Sequence, residues 1–244
     1  MNILLVLAFL FFIGSVAGWI AELLFRRFVS SANPERKWIN PGFCTGPYLP
    51  LYGSGLCLMY LIASLEKYSL IKNEAWNRII IFILTAVCMT AIEYIAGIIS
   101  LKVNNVRLWD YTGEWGNIQG IICPKFSLIW AALGALYYFL IHPRIITALD
   151  WLSNNLAFSF FIGLFFGVFI IDAVNSAKLI SKIKQYAEEN DVIVRYENLK
   201  AEIRRKNDEL KSKYHFFRPF KTELPISEHL KEIVGTLEKR RGKK

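Results

Sequence analysis

Five apolar blocks alternate with polar stretches along the chain, and each is close to or above the length that crosses a bilayer. A spanning helix needs roughly 20 apolar residues, because the hydrocarbon core is about 30 Å thick. The pattern therefore predicts an all-α, polytopic membrane helix bundle of about five spanning helices. The predicted segments are Ile3–Phe25, Tyr48–Ser64, Trp76–Leu101, Gly120–Ile141 and Leu156–Ile180.

The composition supports this assignment and changes the interpretation of the charge. Hydrophobic residues make up 54% of the 244 residues, and the mean hydropathy is +0.34. A net charge of +9 would suggest nucleic acid binding in a soluble protein. In this chain the basic residues flank the apolar blocks and fill the end of the sequence, where they favour the cytoplasmic side and anionic headgroups. We predict membrane lipid as a partner and no nucleic acid.

Basic residues also set the expected orientation. The stretches after the first, third and fifth segments carry more Lys and Arg than the alternate loops. Because positive flanks stay in the cytoplasm, we predict a multi-pass protein with its N-terminus outside and its C-terminus cytoplasmic. The first block lacks preceding basic residues and reaches about Phe25, which favours a retained helix over a signal peptide. The four cysteines form no C-x-x-C pair, so we predict buried thiols, no metal site and no cofactor.

The character of the chain changes near Ser181, which predicts a transmembrane domain over residues 1–180 and a cytoplasmic tail over residues 181–244. Apolar spacings of three, four and seven over Ile183–Tyr214 indicate an amphipathic helix. This helix either continues the fifth span and pairs with another helix, or lies solvated against the protein or the lipid surface. Pro219 and Pro225 are expected to end it, and the basic stretch LEKRRGKK is expected to be mobile.

Three acidic side chains, Glu22, Glu93 and Asp172, stand inside apolar blocks. A carboxylate at the centre of a spanning helix costs about 2.5 to 3.5 kcal/mol on insertion scales, and such residues are rarely idle. In the predicted orientation each acid comes late in an inward-running helix, so all three are expected in the cytoplasmic half of the bilayer. Each one alone is equally well explained as a salt-bridged or headgroup-level structural residue. Together they favour a shared polar site.

The second segment opens with NPGFCTGPYLPLYGSG, residues 40–55. Its prolines and glycines cannot form a regular helix throughout. Irregular backbone at membrane depth is tolerated only where protein buries it or water reaches it, and interrupted helices often present free amides to a ligand. We therefore predict an interrupted second segment beside the acids; a simple interfacial loop before a short helix is the alternative.

A polar, aromatic loop, VRLWDYTGEWGNIQGIICP, separates the third and fourth blocks. Trp109 and Tyr111 suit the membrane interface, and Asp110 and Asn117 offer short polar groups to exposed amides or to a ligand. Arg107 can pair with Asp110 or with an acid of the spans. We predict a re-entrant or cap-like lid over the acid site, with a plain aromatic-belt loop as the alternative.

Several stretches together resemble a known family. GWIAE, NPGFCTGPYLPLYGSG, IEYIAG and RLWDYTGEWGNIQGIICPKFSLIW, followed by HP, are similar to the ABC-transporter type IV (CmpB-like) bacterial membrane proteins over about residues 11–143. The chain departs from the family at Thr112 and Glu114–Trp115, where the family usually has Ser and Pro. The matching positions are Glu22, Gly46, Pro47, Pro50, Tyr52, Gly53, Glu93, Arg107, Trp109, Asp110, Tyr111, Asn117, Gly120 and Cys123.

The resemblance implies a permease in the bacterial cell (inner) membrane. The sequence contains no G-x-x-x-x-G-K-[ST] phosphate loop, so a permease would need a separate ATPase subunit as partner. A homo-oligomer is a further expectation, through the tail helix or through the G-x-x-x-G pairs Gly14/Gly18 and Gly163/Gly167, since small residues four apart let helices approach closely.

Three functions are compatible with the sequence. The first is a transport protein that binds a cation, a proton or a small substrate at the carboxylate and aromatic site, with cation–π support. The second is an intramembrane enzyme acting on a lipid or isoprenoid, for which no catalytic residue is predicted; the third is an adaptor or sensor that works through its tail. The predicted binding residues are Glu22, Tyr52, Glu93, Arg107, Trp109, Asp110, Tyr111, Asn117 and Asp172.

Overall fold

The computed structural model describes residues 2–30, 33–68, 73–209 and 225–231, and these residues are predominantly helical. The predicted all-α class is confirmed. The helices are α1 (Ile3–Phe28), α2 (Pro50–Ser64), α3 (Glu74–Ile98), α4 (Pro124–Leu136), α5 (His142–Asn154), α6 (Ser159–Glu189) and α7 (Tyr196–Glu209). Two short strands, β1 (Val106–Arg107) and β2 (Val194–Arg195), pair in parallel.

Several connections between the helices are themselves short π-helical or 3₁₀ segments. The π-helical segment Ile99–Val103 extends α3, and the π-helical segment Tyr137–Ile141 joins α4 to α5. The 3₁₀ turn Leu65–Tyr68 follows α2, and the 3₁₀ turn Leu156–Phe158 precedes α6. Pro50 and Pro124 each occupy the first turn of a helix, where the missing N–H is not needed and the fixed φ favours helix initiation.

Within the described residues, four helical stretches are long and apolar enough to cross a membrane: Ile3–Phe28, Trp76–Val103, Pro124–Asn154 and Leu156–Glu189. They overlap four of the five predicted segments. The remaining predicted segment corresponds to α2, which has 15 residues and is therefore about 22 Å long. The backbone before Pro50 is irregular, as the run of Pro and Gly predicts.

The chain divides into two compact units. The first unit contains Met1–Ala21, Tyr48–Ala96 and Tyr111–Ile170, and the second contains Glu22–Pro47, Gly97–Asp110 and Ile171–Lys244. Three helices, α1, α3 and α6, therefore contribute residues to both units. The division into domains at residue 180 stays a prediction.

A close crossing of α1 and α2 organises the first unit. The backbone N–H of Leu49 donates to the carbonyl oxygen of Ser15 at 2.9 Å. A Cβ added to Gly14 would lie 2.8 Å from the Cβ of Leu56 and 3.1 Å from the Cα of Gly53, so the crossing depends on glycine. The buried core around it consists of Val6, Phe9, Leu10, Ala63, Tyr137, Ile145, Leu149, Leu152 and Ile162.

The second unit has its own core around the tail. Its buried residues are Val106, Ile183, Ala187, Val194, Tyr196, Leu199, Ile203 and Leu230. The parallel pairing of β1 with β2 places Val106 opposite Val194 and Arg107 opposite Arg195. The tail is thus folded against residues that precede it by almost ninety positions in the sequence.

The predicted tail helix over Ile183–Tyr214 is wrong as one continuous helix. The helix α6 continues the fifth segment to Glu189 and then stops, because Asp191 adopts a left-handed conformation with a φ of 47°. The N–H of Val192 donates to the carbonyl of Ala187 at 3.0 Å and the N–H of Asp191 donates to that of Glu188 at 3.4 Å, the pattern of a Schellman termination. Residues 210–224 and 232–244, which include Pro219 and the basic stretch, lie outside the described residues.

The two G-x-x-x-G pairs differ in what surrounds them, and this difference gives a test of the fold. We expect Gly14→Ala to destabilise the protein by about 1 to 3 kcal/mol, because the added methyl group overpacks the crossing with α2. The matched control is Gly163→Ala, since no described atom beyond the adjoining part of α6 lies within 4 Å of a Cβ added at Gly163. Thermal unfolding of both variants in detergent measures the difference, and equal midpoints would contradict the crossing.

Candidate functional site

One face of α3 is buried along its whole length, and it carries the candidate site. Asn77, Ile81, Thr85, Met89 and Glu93 follow each other at intervals of four residues and are 5%, 1%, 6%, 2% and 3% exposed. Residues four apart lie on the same side of a helix. The four-residue spacing of these positions therefore places Glu93 on the buried face of α3, with its carboxyl group inside the protein.

Glu93 binds two neutral side chains. The hydroxyl group of Tyr111 donates to Oε1 at 3.1 Å, and the indole Nε1–H of Trp130 donates to Oε2 at 3.0 Å. Within the part of the chain that the structure describes, Glu93 forms no salt bridge. A buried carboxyl group with neutral donors on both oxygens and no basic partner can take up a proton or a cation, which distinguishes it from a carboxylate in an internal ion pair.

Aromatic rings hold the two donors in place. The ring of Tyr111 stacks on Phe126 with centroids 4.2 Å apart and planes inclined by 8°. Trp130 lies one helical turn after Phe126 on α4, and its ring centroid is 5.6 Å from that of Tyr52. A cation beside Glu93 would therefore meet aromatic faces as well as a carboxyl group.

The loop after Tyr111 is folded by its own hydrogen bonds. Asn117 donates from Nδ2 to the carbonyl of Glu114 at 2.9 Å and accepts from the N–H of Gly120 at 3.0 Å. The N–H of Tyr111 donates to the carbonyl of Gly120 at 2.9 Å, and Gly116 and Gly120 have φ angles of 65° and 67°. Glycine adopts such angles at no steric cost. The polar and Gly-rich composition of the loop thus positions Tyr111 over Glu93.

The predicted site residues are divided between the two units. Tyr52, Glu93, Tyr111 and Asn117 belong to the first unit, and Glu22, Arg107, Trp109, Asp110 and Asp172 belong to the second. Trp109 is partly buried there.

Two acids of the second unit are salt-bridged. Arg26 Nε lies 2.9 Å from Glu22 Oε1. Asp110 accepts from Arg107 on one oxygen and lies near Arg195 on the other, each at 3.2 Å. Both acids therefore have basic partners, as expected of a structural acid in or beside an apolar block.

Asp172 binds the irregular backbone that precedes α2. Its two carboxylate oxygens accept from the N–H of Thr45 at 3.2 Å and from the N–H of Gly46 at 2.8 Å. These are amides of the stretch from which a ligand contact was expected. In this protein they meet a carboxylate of the chain itself.

The same stretch is held by α7. Lys200 Nζ donates to the carbonyl of Asn40 at 3.0 Å, and the hydroxyl of Tyr196 donates to the carbonyl of Gly42 at 3.4 Å. The Lys200 side chain is 4% exposed and lies 3.6 Å from Glu197, which in turn lies 3.0 Å from Arg26. We call the residues 40–46, Asp172, Tyr196 and Lys200 the loop brace.

Burial and nearby charges shift the pKa values of Lys200 and Cys44 in the loop brace, and the pKa of the neighbouring Glu197. Burial lowers the pKa of Lys200 to about 8, although the neighbouring Glu197 carboxylate acts in the opposite direction. Burial also raises the pKa of Glu197, but Lys200 and Arg26 outweigh it and leave that pKa below its ordinary value. The net shift of Glu197 carries little weight for stability, because its side chain is 43% exposed. Burial, and then the Asp172 carboxylate, raise the pKa of the Cys44 thiol to about 12.

The sequence reasoning missed three residues that these contacts bring out. Trp130 and Phe126 were present at the end of the motif that carries the family resemblance, and their spacing of four residues places them on one face of α4. Lys200 gave no signal, because a lysine in a charged, amphipathic stretch is usually solvated.

The fold and the site define a helical membrane protein with a buried carboxyl group among aromatic donors. The chain belongs to the family described as "Putative ABC-transporter type IV", whose match covers residues 9–177 and so reaches into the fifth apolar segment. A search of curated proteins and a search of solved structures found no match. The family and the apolar helices together make this a membrane protein of the transporter type.

We expect Asp172→Asn to expose Cys44, which is fully buried. An asparagine offers one acceptor oxygen instead of two, so one loop amide loses its partner at a cost of about 1 to 3 kcal/mol. In a chain whose sole cysteine is Cys44, maleimide labelling should become about tenfold faster or more. Loss of the Asp172 charge acts in the same direction, because that charge raises the pKa of the thiol. Glu188→Gln on the same helix is the control, and equal labelling rates would contradict the role of Asp172.

The depressed pKa of Lys200 predicts a pH dependence. Between about pH 8 and the ordinary value of 10.5, the unfolded chain binds more protons at this residue than the folded chain, so the contribution of Lys200 to stability rises with pH. The unfolding midpoint of the unsubstituted protein minus that of Lys200→Met should therefore increase across this window. A difference that is constant or decreasing from pH 7 to pH 10.5 would contradict a buried ammonium group.

Proposed function

We propose that the protein is a multi-pass transport protein of the bacterial inner membrane, in which Glu93 binds a proton or a small cation. The observation that carries the proposal is the Glu93 carboxyl group, 3% exposed within an apolar helix and bound by Tyr111 and Trp130 alone among the described residues. Charged groups are costly inside apolar spanning helices, and ionisable residues there often mark ion or substrate pathways.

Tyr52 and Tyr111 are the proposed partners of Glu93 in binding. Their rings offer π faces, and an aromatic face within about 6 Å attracts a cation by roughly 0.5 to 2 kcal/mol. The tyrosine hydroxyl can also reverse its role, since it donates to a carboxylate and accepts from a protonated carboxyl group. The wider binding site, which adds Glu22, Arg107, Trp109, Asp110, Asn117 and Asp172, stays a prediction.

We further propose that the N-terminus lies outside and the C-terminus in the cytoplasm, which the distribution of Lys and Arg supports. A separate ATPase subunit is the proposed partner, in keeping with the family description. A second copy of the chain is a proposed partner at the α6 face that carries Gly163 and Gly167, since no described atom beyond the adjoining part of α6 lies within 4 Å of a Cβ added at either glycine. Gly14, in contrast, is already in contact with α2.

The proposal is tested by passive flux in proteoliposomes. Two probes are used: protons, followed with a trapped pH-sensitive dye under an imposed gradient, and radiolabelled rubidium under exchange conditions. Glu93→Gln keeps the size of the side chain but removes its charge and one of its two acceptor oxygens, so we expect the rate for the transported probe to fall about tenfold or more.

The control is Asp150→Asn, an exposed acid of α5 in the same unit. It should retain the rate of the unsubstituted protein. If the unsubstituted protein carries a probe faster than protein-free liposomes and Glu93→Gln carries it equally fast, Glu93 is removed from the pathway.

A further inference from the structure

The pair His142–Pro143 ends the family motif, and the Glu93 site makes no use of it. Pro143 lies inside the continuous helical stretch Pro124–Asn154. A proline there cannot donate to the carbonyl four residues earlier, and its ring crowds that carbonyl. The helix accommodates the proline through the π-helical segment Tyr137–Ile141, after which the N–H of His142 donates to the carbonyl of Tyr137.

This π-helical segment brings two side chains together that an α-helix would separate. The hydroxyl of Tyr137 and Nδ1 of His142 are 2.9 Å apart, and their rings meet edge to face with centroids 5.5 Å apart. Tyr137 is only 2% exposed, so the imidazole is fixed by a buried partner. Single π turns of this kind occur frequently at functional sites.

A cavity of about 250 Å³ adjoins the fixed imidazole. It is lined by Tyr60, Ala63, Ser64, Glu66, His142 and Ile146. All of these belong to the first unit. The volume lies just below the roughly 300 to 1,000 Å³ of pockets for drug-sized ligands, so the cavity suits a small group.

The lining is rich in acceptors and carries a negative charge. Among the described residues that line the cavity, Glu66 alone is formally charged. The Ser64 hydroxyl donates its proton to the carbonyl of Tyr60 at 2.8 Å, which leaves the oxygen lone pairs as acceptors. The ring of Tyr60 has its centroid 6.1 Å from that of His142. These groups complement a cation that carries several N–H donors.

The salt bridge of Glu66 leaves room for such a cation. Arg78 Nε lies 3.7 Å from Glu66 Oε1, and the two side chains are 56% and 39% exposed. Exposed pairs of this kind contribute little, and a carboxylate has about four lone-pair positions. A metal ion is less well matched, because no three His, Cys, Asp or Glu side chains come together in the described ranges.

We propose that this cavity binds a primary ammonium group, which donates hydrogen bonds to Glu66 and Ser64 while the Tyr60 ring and the His142 imidazole enclose it. A free amine and the ethanolamine headgroup of a lipid share this chemistry. Arg78, which pairs with Glu66, lies about four helical turns before Glu93 on α3. The cavity is therefore a separate site, and it does not depend on the transport function proposed for Glu93.

The test uses the full chain in phosphatidylcholine nanodiscs with ethylammonium as the probe, at constant ionic strength against sodium chloride. We expect a saturable rise of the unfolding midpoint, and an apparent affinity that is weaker by about tenfold or more in Glu66→Gln. Tetramethylammonium, which has no N–H, should bind more weakly than ethylammonium. Asp150→Asn, which removes an exposed acid of α5 in the same unit, should leave the ethylammonium response unchanged.

A second variant protects the test against a folding defect in Glu66→Gln. Ile146→Trp keeps every charge and places a larger side chain in the lining of the cavity, where Ile146 is 39% exposed, so it should weaken the response by a similar factor. A response that is identical in the unsubstituted protein and in both variants, or no saturable response to the probe combined with no effect of lipid headgroup, overturns the proposal.

A comparison of nanodiscs distinguishes the two sources of the amine. If the lipid headgroup is the ligand, phosphatidylethanolamine should raise the midpoint of the unsubstituted protein but not of Glu66→Gln, and it should suppress the response to ethylammonium. If a free amine is the ligand, the two lipids should give the same midpoint and the response to ethylammonium should persist in both. Either result supports the ammonium site.

Discussion

A carboxyl group in an apolar helix must find its hydrogen-bond donors within the protein, because lipid offers none. Four acids of this chain find their partners in different ways. Glu22 and Asp110 lie beside arginines, and Asp172 accepts from two backbone amides. Glu93 accepts from a phenol and an indole. The arginines neutralise Glu22 and Asp110, and the charge of Asp172 holds the backbone. The two neutral donors leave the Glu93 carboxyl group able to exchange a proton or a cation.

The same requirement explains the loops that flank the spans. The loop after Tyr111 contains polar groups and glycines because it must satisfy its own backbone while presenting one hydroxyl to Glu93. The loop brace of the second unit solves the corresponding problem for the stretch before α2: Asp172 binds its amides, and Lys200 and Tyr196 bind its carbonyls. The described part of the tail therefore supports the irregular stretch that precedes α2.

The sequence predicts the local features well and the distant partners poorly. Apolar length predicted the helices, and the Pro and Gly run predicted the irregular start of α2, because both depend on neighbouring residues. Glu93 and Tyr111 were predicted from residue type, but Trp130 was not, since its role depends on how α3 and α4 pack.

Three further features depend on contacts that no local pattern encodes. The parallel pair of β1 and β2 consists of two residues in each strand, too few for a detectable period. Asp172 meets amides more than a hundred residues earlier. The break at Asp191 rests on a left-handed residue in a stretch whose apolar spacing continues on both sides.

The most direct test of the central claim is the infrared spectrum of the Glu93 carboxyl group in lipid films. The band of this group is identified by its loss in Glu93→Gln and is then followed in Trp130→Phe and Tyr111→Phe, which each remove one donor. We expect each substitution to shift the band, and we expect the band of the unsubstituted protein to respond to a change of bulk pH or to added cation. A band that is insensitive to both substitutions and to the medium would show that Glu93 is neither held by these donors nor in exchange with a ligand.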